Sequence, residues 1–287
     1  MVFRLWRRVA ACAFGTLFAL GLLLPSVASA LPEAHGHLLH IVKPGLRANA
    51  NESSNWFGYN QGTLEQDGKR FHSIAGNWTV PSARQHRKGH AEASSTWIGI
   101  GGGCIDANCT MGDATLIQTG TEQDVSASGK PSYSAWWEII PGPAIGIGKL
   151  KVRAGDRMHA KIAEIVKGSE VWRIILTNRT RHQTFRTTVP YTPTYATAEW
   201  IQETPLEIGT NTGLAALPKL SRTTFDRARV NGAPAHLKAS ERIVLTSRGK
   251  VIGKPLAGPA AQRLRLMHMG EEVPGAAVIQ TSRPSLS

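Results

Sequence analysis

Short apolar runs separated by turn residues fill the chain from Trp56 onward. Ile74–Val80, Ser94–Ile100, Ala114–Thr119, Ser132–Ile140, Lys149–Arg153 and Arg157–Val166 are rich in β-branched and aromatic residues. Glu170–Thr177, His182–Val189, Tyr195–Glu203, Arg242–Ser247 and Gln262–Met267 continue the series. Gly, Pro, Asn or Asp stands between most of them, at the intervals of sandwiches and barrels. Each run is predicted as a strand. Val171–Leu176 reads equally as a buried helical turn, since periodicity alone does not separate short apolar runs. No apolar stripe is sustained over several helical turns, and no strand–helix alternation signals a parallel sheet. The pattern predicts an all-β fold, an antiparallel two-sheet β-sandwich, because two amphipathic sheets bury their apolar faces on one another.

The first thirty residues follow another pattern. Arg4, Arg7 and Arg8 precede an apolar run from Val9 to Leu24, Pro25 breaks it, and Ala28-Ser29-Ala30 offers small residues for a signal peptidase. The run is shorter than the ~20 residues needed to span a bilayer. Residues 1–30 are therefore expected to be a signal peptide. Residues 31–54, with His35, His37 and His40 but little periodicity, read as a linker or short pro-segment. The folded domain is expected over 55–270, followed by a tail over 271–287. The expected product is secreted, extracellular or periplasmic, soluble once the signal is removed, and monomeric.

Removing the signal takes away three arginines and leaves 257 residues with a net charge of about +10. Eight cations between Arg222 and Lys254 face only Asp226 and Glu241. That stretch lacks interleaved aromatics for base stacking, so a solvated face or weak attraction to anionic cell surfaces is the expected role, not nucleic-acid binding. Cys104 and Cys109 remain after Cys12 is lost, and export makes a disulfide between them the expectation. Two cysteines without a nearby histidine pair do not make a structural zinc site. No metal or cofactor is expected.

Familiar catalytic signatures are absent. The chain has no Gly-x-Ser-x-Gly elbow and no His-Glu-x-x-His pair, and its glycines at 99 and 101–103 do not form a dinucleotide fingerprint. Instead, polar residues interrupt three apolar strands: Leu116-Ile117-Gln118-Thr119-Gly120, Ala135-Trp136-Trp137-Glu138-Ile139-Ile140, and Ala198-Glu199-Trp200-Ile201-Gln202-Glu203. Alternate strand residues share a face, which groups Glu138 with Trp136 and Ile140, and Glu199 with Ile201 and Glu203. Carboxylates beside such neighbours suggest a partly desolvated groove, where the proton is held more tightly than in water.

With these segments the chain resembles the glutamic peptidases, the eqolisins of peptidase family G1. The matching pieces are Asn55-Trp56-x-Gly58, Thr79-Val80-Pro81, Thr96-Trp97-Ile98-Gly99-Ile100, Leu116 to Gly120, Tyr133-Ser134-Ala135-Trp136-Trp137-Glu138 and Ala198-Glu199-Trp200-Ile201, all in family order. The resemblance implies a concanavalin A-like sandwich with substrate lying across one concave sheet. It also implies an endopeptidase acting at acidic pH through a Gln–Glu dyad, here Gln118 and Glu199. Trp56, Trp97 and Glu138 match positions that line the family's site, and Trp136 joins them as a candidate substrate-binding residue. Two positions depart from the family pattern: Gly101 where the fungal enzymes often carry Asp, and Ile140 where an aromatic is common. The expected partners are protein or peptide substrates. The alternative is a glycoside hydrolase or carbohydrate-binding β-sandwich that uses Glu138 and Glu199, with the tryptophans as a stacking platform.

Overall fold

A computed structural model describes residues 37–39, 47–62, 69–106, 108–208, 213–256 and 263–268. The expected signal peptide and C-terminal tail lie outside the described residues. The described residues belong to a unit spanning Leu31–Ser287. Its main strands are β1 (Trp56–Gln61), β2 (Ser73–Thr79), β3 (Ser95–Gly101), β4 (Leu116–Val125), β5 (Pro131–Ile139) and β6 (Arg157–Glu164). They continue with β7 (Val171–Asn178), β8 (Gln183–Pro190), β9 (Ala198–Glu203), β10 (Thr223–Val230), β11 (Arg242–Ser247), β12 (Lys250–Leu256) and β13 (Arg263–His268).

Antiparallel pairing orders the first sheet as β5-β4-β3-β9-β1. The second runs β8-β7-β6-β2-β10-β13-β12-β11. Strand β11 joins the two at one edge, because Arg242 and Ile243 pair with Tyr59 and Gly58 of β1 while Leu245 to Ser247 pair with β12. At the far edges no ladder among the described residues connects β5 to β8. The assembly is thus a sandwich open along one side, not a closed barrel.

Alternation builds the core. Phe57 and Tyr59 of β1, Ile98 and Ile100 of β3, and Ala198 and Trp200 of β9 point inward from the first sheet. Ile74 and Trp78 of β2, Met158, Ala160 and Ile162 of β6, and Trp172, Ile174 and Leu176 of β7 meet them from the second. Two indoles cross the seam with their N–H groups satisfied: Trp78 Nε1 donates to Thr121 Oγ1 at 3.1 Å, and Trp200 Nε1 donates to the Ala75 carbonyl at 3.1 Å. Gly76 makes room for the second contact, since a Cβ there would sit 2.9 Å from Trp200 Nε1.

Several expectations change in detail. Lys149–Arg153 is turn and coil, not a strand. Val171–Leu176 lies in strand β7 and is not a helical turn. The basic stretch expected as a solvated face contains β10, whose Thr223, Phe225, Ala228 and Val230 are buried. A bulge between Asp226 and Arg229, with Arg227 at φ 54°, interrupts the two-residue period and hides this strand in the sequence. Within the segment expected as a linker, His37–Leu39 pairs with Leu206–Ile208, and Glu52–Ser53 lies parallel to Val244–Leu245.

Candidate active site

The outer face of the first sheet carries the candidate site residues. Register sets Glu138 of β5 opposite Gln118 of β4, Gln118 opposite Gly99 of β3, Gly99 opposite Glu199 of β9, and Glu199 opposite Asn60 of β1. Five side-chain positions from five strands therefore form one row. Gln118 and Glu199 are two strand spacings apart, about 9–10 Å between backbones. In the register, Gly99, which has no side chain, stands between them, and Leu116 and Trp97 crowd the space above it. A Cβ at Gly99 would lie 2.9 Å from Leu116 Cδ1, 3.0 Å from Trp97 and 3.2 Å from Gln118 Cβ.

Each polar member is buried. Gln118, Glu138 and Glu199 have no exposed surface, and Asn60 is nearly covered. Gln118 Nε2 donates to Glu138 Oε2 at 2.7 Å, which directs the carboxamide along the row. Strand ends are fixed nearby: the Leu116 amide donates to Tyr191 Oη at 2.7 Å, and that hydroxyl donates to the Ile140 carbonyl at 3.2 Å. Burial, with the negative charge of Asp113, pushes the Tyr191 phenol up to about 12, so it stays a donor throughout the working range. On the other side, the Trp200 anchor in the core holds β9 in register and so holds Glu199 outward.

Flanking this row on the same face of the sheet is an apolar floor of Trp56, Trp97, Leu116, Trp136, Ile140, Ile201 and Ile243. Its indoles are oriented by polar partners. Trp97 Nε1 donates to Glu203 Oε2 at 2.7 Å, and Trp56 Nε1 donates to Glu203 Oε1 at 3.0 Å. The two rings meet edge to face, centroids 4.8 Å apart and planes at 78°. Trp136 Nε1 donates to Ser95 Oγ at 3.1 Å. Glu203 and Asn60 are site residues that sequence reasoning did not select. The signal for Glu203 was present, since buried indole N–H groups call for acceptors and Glu203 shares the Glu199 face.

The tryptophans sit differently from the expected stacking platform. Trp56, Trp97 and Trp136 are buried to within 1% of their surface and form a packed floor. The row beside them is likewise buried where an open concave face was expected. Cys104 and Cys109 are joined in a disulfide, Cα atoms 4.9 Å apart, in the loop after β3. Among the described residues, no group of three or more His, Cys, Asp or Glu side chains is placed to hold a metal. No helix among them is long and apolar enough to cross a membrane.

This arrangement has recognisable relatives. The sequence model of the Peptidase A4 family matches residues 54–253. The chain belongs to that family, the glutamic peptidases or eqolisins. It is a glutamic-type endopeptidase. The solved structure of scytalido-glutamic peptidase with a transition-state-analogue inhibitor aligns with TM-score 0.59 and 16% identity over 75% of this chain and 98% of that one. SCP-B, an eqolisin bound to the tripeptide Ala-Ile-His, aligns with TM-score 0.53 and 16% identity over the same shares. Aspergilloglutamic peptidase from Aspergillus niger aligns with TM-score 0.50 and 20% identity over 62% of this chain and 99% of that one. No curated protein sequence matches significantly.

The departures of this glutamic peptidase from the family pattern have local causes. Gly101 has φ +92°, and a Cβ there would sit 2.2 Å from the Thr115 carbonyl oxygen. No aspartate fits without moving the backbone. Ile140, where an aromatic is common, is mostly buried in the floor beside Leu116 and Trp136.

Proposed function

We propose that this glutamic peptidase hydrolyses internal peptide bonds of proteins in mildly acidic surroundings outside the cell, with Gln118 and Glu199 as its catalytic residues. The observation that carries the reading is the register row, in which an amide and an acid flank Gly99. A water held between them would lose a proton to ionised Glu199 as it attacks the scissile carbonyl. The protonated glutamate then returns that proton to the departing nitrogen. The Gln118 carboxamide offers N–H to the developing oxyanion and its carbonyl oxygen to the water. Glu138, which accepts from Gln118 Nε2, would orient that amide. A Gln–Glu pair also avoids the mutual repulsion of two carboxylates, so one group of the dyad titrates.

Glycoside hydrolysis by Glu138 and Glu199 is disfavoured. In the register row Gln118 and Gly99 stand between them. Glu138 also directs an oxygen at Gln118.

Digestion of a denatured protein from pH 2 to 8 tests the proposal. Wild type should cleave best on the acid side, and Glu199→Gln should leave no turnover. Gln118→Ala should lose about 10²–10³ in kcat, the usual cost of an oxyanion donor. Turnover by Glu199→Gln, or a mild Gln118→Ala beside a severe Glu138→Gln, would overturn it.

A further inference from the structure

The outer face of the second sheet, on the far side of the core from the catalytic row, is basic. Register sets Arg186 of β8, Ile175 of β7, Lys161 of β6, Ala75 of β2 and Arg229 of β10 in one line across five strands. Three exposed cations thus recur on every second strand, about 9–10 Å apart. Arg173 and Arg157 are exposed on the same face, and Arg179 and Arg227 stand at its margin. Asp226 is the one outward-facing carboxylate on these five strands, and it accepts from Asn77 Nδ2. Glu164, the other acid in the strands, is mostly buried and contributes to the lining of a cleft beside Lys161 and Lys167.

The face is shaped as well as charged. A cleft of about 380 Å³ runs between His159, Arg179, Arg227 and Arg229, floored by Ala75 and Asn77. A second of about 600 Å³ opens between Arg70, Lys161 and Lys167. A parallel row, Thr184, Thr177, His159, Asn77 and Asp226, lines the face with hydroxyl, imidazole and amide groups. The half-buried His159 imidazole is the one aromatic ring in the two rows, so they offer no series of rings for bases to stack on. The residues are polar or small apart from Ile175, so the rows offer little to bury in a bilayer. Cations interleaved with hydroxyl and amide groups suit a ligand whose surface is carboxylates and hydroxyls.

We propose that this face is a docking site for a polyuronate, an acidic polysaccharide with one carboxylate per sugar. A chain lying across the strands would meet Arg186, Lys161 and Arg229 in turn. The spacing along this line matches a polymer presenting carboxylates to one side at alternate sugars. Docking here is on the opposite side of the core from the proposed catalytic row, and the inference stands whether or not Gln118 and Glu199 perform the cleavage.

Equilibrium binding of purified protein to polygalacturonate at low salt tests this, with heparin, duplex DNA and anionic phospholipid vesicles as competitors. The combined variant Arg186→Gln/Lys161→Gln/Arg229→Gln should bind about tenfold or more weakly, as the loss of three exposed ion pairs implies. Its melting temperature and cleavage of a peptide substrate should match wild type. Arg87→Gln/Lys88→Gln, in the loop before Glu92, should bind as wild type does. The His159 imidazole is a reporter. Burial and the charges of Arg179 and Lys161 hold it below the usual 6.5, so polyuronate binding should raise its midpoint in an NMR titration. Failure of wild type to bind polygalacturonate, undiminished binding by the triple variant, or stronger binding of any competitor would overturn the proposal.

Discussion

Gln118 and Glu199 occupy the same register row on the two neighbours of β3, with Gly99 alone between them. The residue that separates the pair contributes space. Substituting Gly99 by Ala puts a methyl group 3.2 Å from Gln118 Cβ and 2.9 Å from Leu116 Cδ1. Leu116 can give way, and Gly99 does not need a left-handed backbone, so the fold should survive. We expect a loss of roughly 1–3 kcal/mol in stability, the usual cost of overpacking. The effect on turnover should be larger, at least about 10²-fold, as misplacement of reacting groups by an ångström typically costs. Thermal melts alongside kcat measurements check it. Full activity in Gly99→Ala would show that the space is not used.

The Gln118–Glu138 contact separates two roles for Glu138. If its task is to accept from Gln118 Nε2, a carbonyl oxygen can replace the carboxylate oxygen. Glu138→Gln should then keep activity within about tenfold of wild type, while Glu138→Ala should fall further, since an orphaned buried donor costs roughly 1–3 kcal/mol. Steady-state kinetics of both variants distinguish this from direct proton transfer by Glu138, in which both substitutions are equally severe.

Glu203 takes an indole N–H on each oxygen. Glutamine at this position keeps one acceptor and turns an NH2 toward the other indole. The lost charged hydrogen bond should cost roughly 1.5–3 kcal/mol, a fall in Tm of about 3–12 °C for a domain of this size. Near-ultraviolet circular dichroism should change as Trp56 and Trp97 lose their fixed edge-to-face geometry. A Glu203→Gln variant with unchanged spectrum and melting point would mean that the floor is held by packing alone.

What the sequence made legible, and what it hid, follows from how locally each feature is encoded. Strand β3 is buried on both faces, whereas β6, β7 and β8 alternate cleanly, so Ile162 and Leu176 fall on faces that can be read residue by residue. Strand β10 does not, because its bulge at Arg227 shifts the period midway and leaves the charged residues most visible. Lys149–Arg153 has alternating apolar residues yet forms no ladder. Leu150 and Val152 are buried there from a coil. Gln118 and Glu199 were selected by the resemblance of whole segments, since nothing local distinguishes a buried strand glutamate from an exposed one. The full burial of the row is also absent from any short window.

Acid stability should depend on Glu164, which lies outside the catalytic row. Burial opposes its ionisation, but the Gly168 and Glu170 amides, His72 Nδ1 at 2.7 Å and the Tyr195 hydroxyl more than offset this, bringing its pKa from the usual 4.5 down to about 2. A carboxylate with a lowered folded-state pKa stabilises the fold fully above its unfolded value and ceases to do so once both states are protonated. The contribution should therefore be intact above about pH 5, decline between pH 4.5 and 2, and vanish below. Asp156, whose burial is outweighed by Arg181, Asn178 and the Arg153 amide, adds to the same decline. His159 acts in the same direction at higher pH. Its folded-state pKa lies below 6.5, so the unfolded chain gains the proton first and stability begins to fall as pH drops through that value. Urea unfolding from pH 7 to 2 should show wild type losing stability in both windows. Glu164→Gln should start lower at pH 7 and flatten the acid window, because the remaining amide does not titrate. A variant whose stability falls as steeply as wild type between pH 4.5 and 2 would place the acid sensitivity elsewhere.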